Sequence, residues 1–371
     1  MNLIKMPGLV DMHVHFREPG FSYKETIASG SRAAAAGGFT AVCTMPNLNP
    51  VPDTPANLRL QTEIIERDAA INVIPFASIT MGRKGDFLTD YAALAPMVAG
   101  FSDDGSGVQD ERVMRKAMEG IAPTGKILAA HCEVEALLRG GYVHDSALLR
   151  ARGHRGISSE SEWREIERDI RLARETGCRL HICHISTREG VELVGEAQAR
   201  GVDVTAETAP HYLVFCDEDV REEGRFKMNP PLRSEADRDA LRRGVADGTI
   251  DVIATDHAPQ SPKEKSLGLE GSAMGVVGLE TAFSAVYTVM VAGGLMPMER
   301  LIDAMALRPR RILGLPLRED EDYAVADLDE EFTVRPEEFL TAGRSTPFEG
   351  MTLRGRVVRT VFNGNTVYEK K

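Results

Sequence analysis

The residues best suited to chemistry begin at His13 and His15, in the run Asp11-Met12-His13-Val14-His15. Alternate residues of a strand project to one face, so this spacing sets two imidazoles side by side at a strand end, where a metal ion can be held. An HxH alone is equally compatible with two histidines hydrogen-bonded in a core or at a rim. Further polar groups follow, each closing an apolar, strand-length run: Asp103-Asp104, His131, His181 and His184, His211, and Asp256-His257. Of nine histidines only His144 and His154 fall elsewhere. A rim of imidazoles and carboxylates is hard to satisfy without cations, whereas a pair of divalent ions uses it fully, with one carboxylate bridging. Such ions make hydroxide available from a shared water near neutral pH and polarise the carbonyl it attacks. One carboxylate must then carry the proton to a departing nitrogen, and Asp256 is the candidate; its alternative role is that of a ligand alone.

Arg17 stands two residues beyond His15 in His-Phe-Arg-Glu-Pro-Gly, where a guanidinium can grip a substrate carboxylate in bidentate fashion or form a surface ion pair. Asn47 in Met-Pro-Asn and Asn229 in Asn-Pro-Pro-Leu-Arg are either polar contacts or turn residues beside proline.

The elements that must position these groups emerge when the chain is cut at its Gly, Pro and Asp/Asn punctuation. Eight strand-length runs result: Gly8–His15, Phe39–Asn47, Ile71–Ile79, Gly100–Gly105, Lys126–Glu133, Cys178–Ser186, Val202–Leu213 and Ile250–Pro259. Amphipathic segments such as KETIASGSRAAAAGG, NLRLQTEIIERDAA and WREIERDIRLARETG lie between them. This is the pattern of repeated βα units, and the fold expected is α/β, a (β/α)8 TIM-type barrel. A barrel outranks an open doubly wound sheet because polar clusters close most of the strands rather than one switch point, and no glycine-rich nucleotide fingerprint occurs. Two helical runs after residue 281 lead to an acidic stretch and then a β-rich tail with an Asn-Gly hairpin turn in VFNGNTVY. The expected domains are a hydrolase barrel over 1–315 and a small, reduced β-rich appendage over 316–371 with residues 1–7.

A formal net charge of -12, with 56 acidic against 44 basic residues, argues against a nucleic-acid partner and means that an anionic substrate needs a local cation. The N-terminal residues lack the pattern of a secretory signal and no stretch is apolar for a membrane span, so a cytoplasmic location is expected. Five cysteines without CxxC spacing, each in an apolar or strand-like run, are expected to be reduced and mostly buried.

Taken together, PGLVDMHVHFREPG, YKETIASGSRAAAAGGFTAVCTMPN, FSDDGSGVQ, AHCE, HICHIS, NPPLR, IDVIATDHAP, GVVGLET and STPFEGMTLRGRV resemble the dihydroorotases of the amidohydrolase superfamily, in particular the class I group, over nearly the whole chain. The resemblance implies a cytoplasmic hydrolase of pyrimidine biosynthesis that binds two zinc ions per chain. It implies that His13, His15 and Asp256 hold one zinc, that His131 and His184 hold the other, and that Asp104 bridges them. His181, His211 and His257 match no ligand position and are expected to support or pack. The implied reaction is the reversible interconversion of N-carbamoyl-L-aspartate and L-dihydroorotate. Arg17 and Asn47 are implied to bind the substrate carboxylate, and Asn229 with the Met274-Gly275 backbone the ring; His15 and Gln260 complete the expected contacts. A homodimer is implied, and pairing with aspartate transcarbamoylase is an alternative. Other cyclic-amide hydrolases of allantoinase or hydantoinase type, and a non-catalytic scaffold of aspartate transcarbamoylase, are the competing readings; the scaffold predicts eroded metal ligands, and all six are present.

The sequence departs from the family pattern in three places. Gln260 stands where a histidine commonly helps hold the carboxylate, and Gln donates a hydrogen bond without charge. Ala273-Met274 replaces the more usual Pro-Phe. About 45 to 50 N-terminal residues expected of the family do not precede the first barrel strand, so the β-rich tail is expected to form a reduced sheet or find a partner.

Overall fold

The computed structural model describes residues 2–370. The eight expected runs each contribute one parallel barrel strand, shorter than its apolar run: Leu9–Val14, Phe39–Thr44, Asn72–Pro75, Gly100–Phe101, Ile127–Ala130, Arg179–Ile182, Val204–Thr208 and Val252–Ile253. The first three form one hydrogen-bonded arc and the last five another. Single parallel bridges join the arcs, Ala77 to Phe101 on one side and Val14 to His257 on the other. The sheet thereby closes on itself and leaves no unpaired edge.

Inside the barrel Met12, Cys43, Phe76, Ile127, Ala129 and Val252 are buried together, with Ile312 of the helix Arg308–Leu313 packed among them. A larger apolar shell lies between strands and helices. Several helices start where the sequence supplies a cap. Thr26 and Ser29 form a capping box for Ile27–Ala36, Thr54 precedes Pro55 at the start of Pro55–Asp68, and Ser234 pairs with Asp237 to open Glu235–Asp247. Gly177 ends Glu160–Thr176 at φ 71°, a left-handed conformation that side chains disfavour.

One strand expectation is corrected. The run Val202–Leu213 is not a single strand: it ends at Thr208, and Pro210 opens the short helix Pro210–Val214, so His211 sits on a helix. Proline supplies the helical φ and has no N–H to leave unpaired at that position.

The C-terminal tail forms an antiparallel sheet in the order Leu3–Pro7, Tyr323–Thr333, Thr352–Phe362, Asn365–Glu369. Asn363 and Gly364 make the expected turn with φ of 50° and 73°, the positive pair a two-residue hairpin needs. Ala324, Ala326, Val357 and Thr360 are buried, and the Thr360 hydroxyl donates to Ala35 O at 2.7 Å, fastening the sheet to the helix after the first barrel strand. The end residues of the expected appendage, Met1 and Lys371, lie outside the described residues. All five cysteines are free and buried. Among the described residues no helix is long and apolar enough to cross a membrane.

Candidate active site

Asp11 is fully buried and joins the first strand to the eighth: its carboxylate accepts from Thr255 N at 3.1 Å, Thr255 Oγ1 at 2.5 Å and His13 N at 3.0 Å. That cross-link sets the His13–His15 pair beside Asp256. After the sixth strand, Ser186 N and Thr187 N both donate at 2.9 Å to buried Glu162 of the helix Glu160–Thr176, which fixes the loop that carries His184. His184 and Asp256 themselves have φ of 34° and 47°. Such left-handed non-glycine residues cost of order 1–3 kcal/mol each and persist where the surrounding structure holds them for function.

The strand ends bring six donors into contact. His15 Nε2 lies 3.1 Å from Asp256 Oδ1 and 3.4 Å from Asp104 Oδ2. His13 Nε2 lies 3.4 Å from Asp104 Oδ1 and 3.6 Å from Asp256 Oδ1, and it is buried without a hydrogen-bond partner. The same Asp104 Oδ1 is 3.3 Å from His184 Nε2 and 3.5 Å from His131 Nδ1, and those two nitrogens are 2.9 Å apart. A tetrahedral ion with ligands at about 2.1 Å spaces them about 3.4 Å apart. The donor set therefore fits cations: nitrogen and carboxylate ligands at coordination spacing, an orphaned imidazole nitrogen, and one central carboxylate, Asp104, whose Oδ1 faces His13, His131 and His184 and whose Oδ2 faces His15. Burial alone would raise the Asp104 carboxyl, but His13, His131 and His184 override it and hold the group well below the usual range. Asp103 turns the other way, accepting from Ile79 N at 2.8 Å and from Thr80.

Outside this cluster stand two carboxylates to which the sequence reading gave no role. Glu207 on the seventh strand accepts from His13 Nδ1 at 2.6 Å and from His181 Nε2 at 3.1 Å. It thereby fixes the tautomer that turns His13 Nε2 toward the cluster, and gives His181 its supporting place. Burial would raise Glu207, but these imidazoles hold it below its ordinary value. Glu133 Oε2 lies 3.5 Å from His131 Nε2 and accepts from Asn229 Nδ2 at 3.1 Å. The signal available in sequence was a charged residue inside an apolar strand run, in TAET and AHCE, where only paired carboxylates are buried.

A cleft of about 210 Å³ opens above the donors. His15, Asp104, His131, His184 and Asp256 reach it, as do Arg17, Asn47, Asn229, Gln260, Met274 and Gly275. His13 lies deeper. Arg17 donates through Nε to Pro259 O at 3.2 Å, while its two Nη groups have no hydrogen-bond partner among the described residues. Burial lowers its pKa to about 10, which leaves it charged at neutral pH. Asn47 Oδ1 accepts from His15 Nδ1 at 2.9 Å, and its Nδ2 has no hydrogen-bond partner among the described residues. Asn229 gives Nδ2 to Glu133, and its Oδ1 is buried without a partner. Gly275 has φ 115° and a Cβ there would come within 2.5 Å of Ala258 O, so the wall at this point must be glycine.

The remaining histidines lie outside the donor set. His257 Nδ1 accepts from Gly278 N at 3.2 Å and its Nε2 faces Glu25 at 3.4 Å. Burial depresses His211 to about 4, making it a neutral packing residue. His144 neighbours Arg233, and His154 bonds Tyr142 and Glu222.

A family model described as dihydro-orotase-like matches residues 2–190. The dihydroorotase of Bacillus caldolyticus is 47% identical over an alignment covering 98% of this chain and 87% of the relative. That of Bacillus subtilis (strain 168) is 44% identical, covering 99% and 88%. Among solved structures, the L-hydantoinase (dihydropyrimidinase) from Arthrobacter aurescens superposes with a TM-score of 0.88 at 25% identity, covering 99% of this chain and 86% of that one. The dihydropyrimidinase from Brevibacillus agri NCHU1002, at 19% identity and a TM-score of 0.85, shares the fold, covering 100% and 86%. With its barrel, its gathered donors and this extent of identity, the chain belongs to the dihydro-orotase-like family.

Proposed function

We propose that this cleft interconverts N-carbamoyl-L-aspartate and L-dihydroorotate, with two zinc ions per chain held by His13, His15 and Asp256, by His131 and His184, and by Asp104 between them. The observation that carries the reading is the free Nη pair of Arg17 opening into the same cleft as the six donors, in a chain of this family. Bound divalent cations would lower the pKa of a water and polarise the carbonyl it attacks.

The chain's own residues do the rest. In the hydrolytic direction water oxygen bonds to the ring amide carbon, the carbon–nitrogen bond breaks, and Asp256 takes the proton and delivers it to the departing nitrogen. Asp256 is suited to accept it because, although burial would raise its carboxyl, His15 and its neighbours keep it ionised. Arg17 grips the substrate carboxylate through two parallel N–H bonds, with Asn47 Nδ2 as a further donor. Asn229 Oδ1, already unpartnered, accepts from a ring N–H, and the Met274-Gly275 backbone bounds the ring.

The same reading takes residues 1–315 as the catalytic barrel and 316–371 with 1–7 as its support, and places the enzyme in the cytoplasm as a homodimer or a companion of aspartate transcarbamoylase, supported by the sequence resemblance. The test is loss of ring absorbance from L-dihydroorotate on metal-loaded protein, with hydantoin and allantoin as controls. Turnover of dihydroorotate alone, abolished by Asp256→Ala, is expected; turnover of a control alone would overturn the substrate.

A further inference from the structure

The carboxamide of Gln260 is held at both ends. Its Oε1 accepts from Lys24 Nζ at 2.7 Å, and its Nε2 donates to Met274 O at 2.7 Å. An ammonium only donates and a backbone carbonyl only accepts, so the two contacts demand the same placement of oxygen and nitrogen, and a flipped amide would face oxygen with oxygen and N–H with N–H. One Nε2 proton is used on Met274, and the other remains for the cleft that Gln260, Met274 and Arg17 all line. Arg17 is fastened to Pro259 O, the residue before Gln260, so the free guanidinium edge and the amide donor share one wall. Lys24 is itself neutralised, with Nζ 2.8 Å from Glu264 Oε1, and that carboxylate is anchored by Ser261 N at 2.9 Å.

We infer that Lys24 is a positioning residue that makes position 260 specific for an anion: by occupying Oε1 it keeps the amide nitrogen of Gln260 toward the cleft, where it donates to the substrate carboxylate beside Arg17. Without that grip only the Nε2–Met274 O bond orders the amide, and each time it turns it sets an acceptor oxygen against the carboxylate. Because Glu264 cancels its charge, Lys24 acts through geometry rather than through net field. This rests on the carboxylate-bearing substrate proposed above.

The test is steady-state kinetics of the metal-loaded chain on L-dihydroorotate for wild type, Lys24→Met, Lys24→Arg, Gln260→Ala and the Lys24→Met/Gln260→Ala double variant. Lys24→Met is expected to raise KM about tenfold with kcat within about twofold, since the contact serves binding rather than the proton transfer. Lys24→Arg, which keeps a donor, restores most of the loss. The double variant is no worse than Gln260→Ala, because Lys24 has nothing left to orient. An unchanged KM in Lys24→Met, or single effects that multiply in the double variant, would overturn the inference while wild-type turnover left the substrate reading intact. A wild type inactive on L-dihydroorotate would overturn the substrate reading and this inference with it.

Discussion

Three side chains carry separable parts of the chemistry. In the proposed mechanism Asp256, which touches the donor cluster, moves the proton, so Asp256→Asn should lower kcat by roughly 10²–10⁴-fold in the dihydroorotase assay. In the same mechanism Arg17 binds the carboxylate without reacting; Arg17→Met would remove a charge-assisted pair worth about 1.5–3 kcal/mol, so KM should rise about tenfold to a hundredfold with kcat much less changed. Glu207 touches neither substrate nor cleft. Its bond to His13 Nδ1 spans 194 residues of sequence, and Glu207→Gln should weaken metal affinity about 10–100-fold, read by competition with a chelator. Residue-scale legibility follows the same division. That these donors and Arg17 gather at one rim was readable because short motifs at strand ends place them, while separating the six from His181, His211 and His257 rested on the family resemblance. Glu207 and Glu133 were not, because their partners are fixed by which strands become neighbours.

At the scale of elements, the strands were legible from punctuation and apolar runs, and their ends were not. The run Val202–Leu213 carries no sequence mark of where extension stops other than Pro210, and the helix that begins there moves His211 off the strand. Closure was expected from the count of eight runs; which residues complete it, the single bridges at Ala77–Phe101 and Val14–His257, was not legible. The junction of barrel and C-terminal segment offers a pH test. Glu280 accepts from Leu340 N at 2.9 Å and Thr341 N at 3.1 Å, and burial raises its carboxyl from 4.5 to about 7. A folded pKa above the unfolded one means the native state binds the extra proton between these values, so stability falls as pH rises from about 4.5 through about 7. Glu280→Gln removes that slope, and its thermal midpoint should gain on the wild type as pH is raised from about 5 to about 8.

For the whole molecule, a net charge of -12 and a site that gathers three buried carboxylates, Asp104, Asp256 and Glu207, give one prediction about stability. Cations held at this site as proposed would bind the folded chain and not the unfolded one, and at a free concentration of about 100 times Kd would stabilise it by about 2.7 kcal/mol. Chelation should lower the thermal midpoint by several degrees, and zinc should restore it. The central claim, that six donors from five strands hold two cations for hydrolysis, is tested most directly by adding zinc in counted equivalents to metal-free protein and following L-dihydroorotate turnover. The account predicts activity that saturates at two equivalents per chain; full activity in the metal-free protein, or saturated binding without turnover, would contradict it.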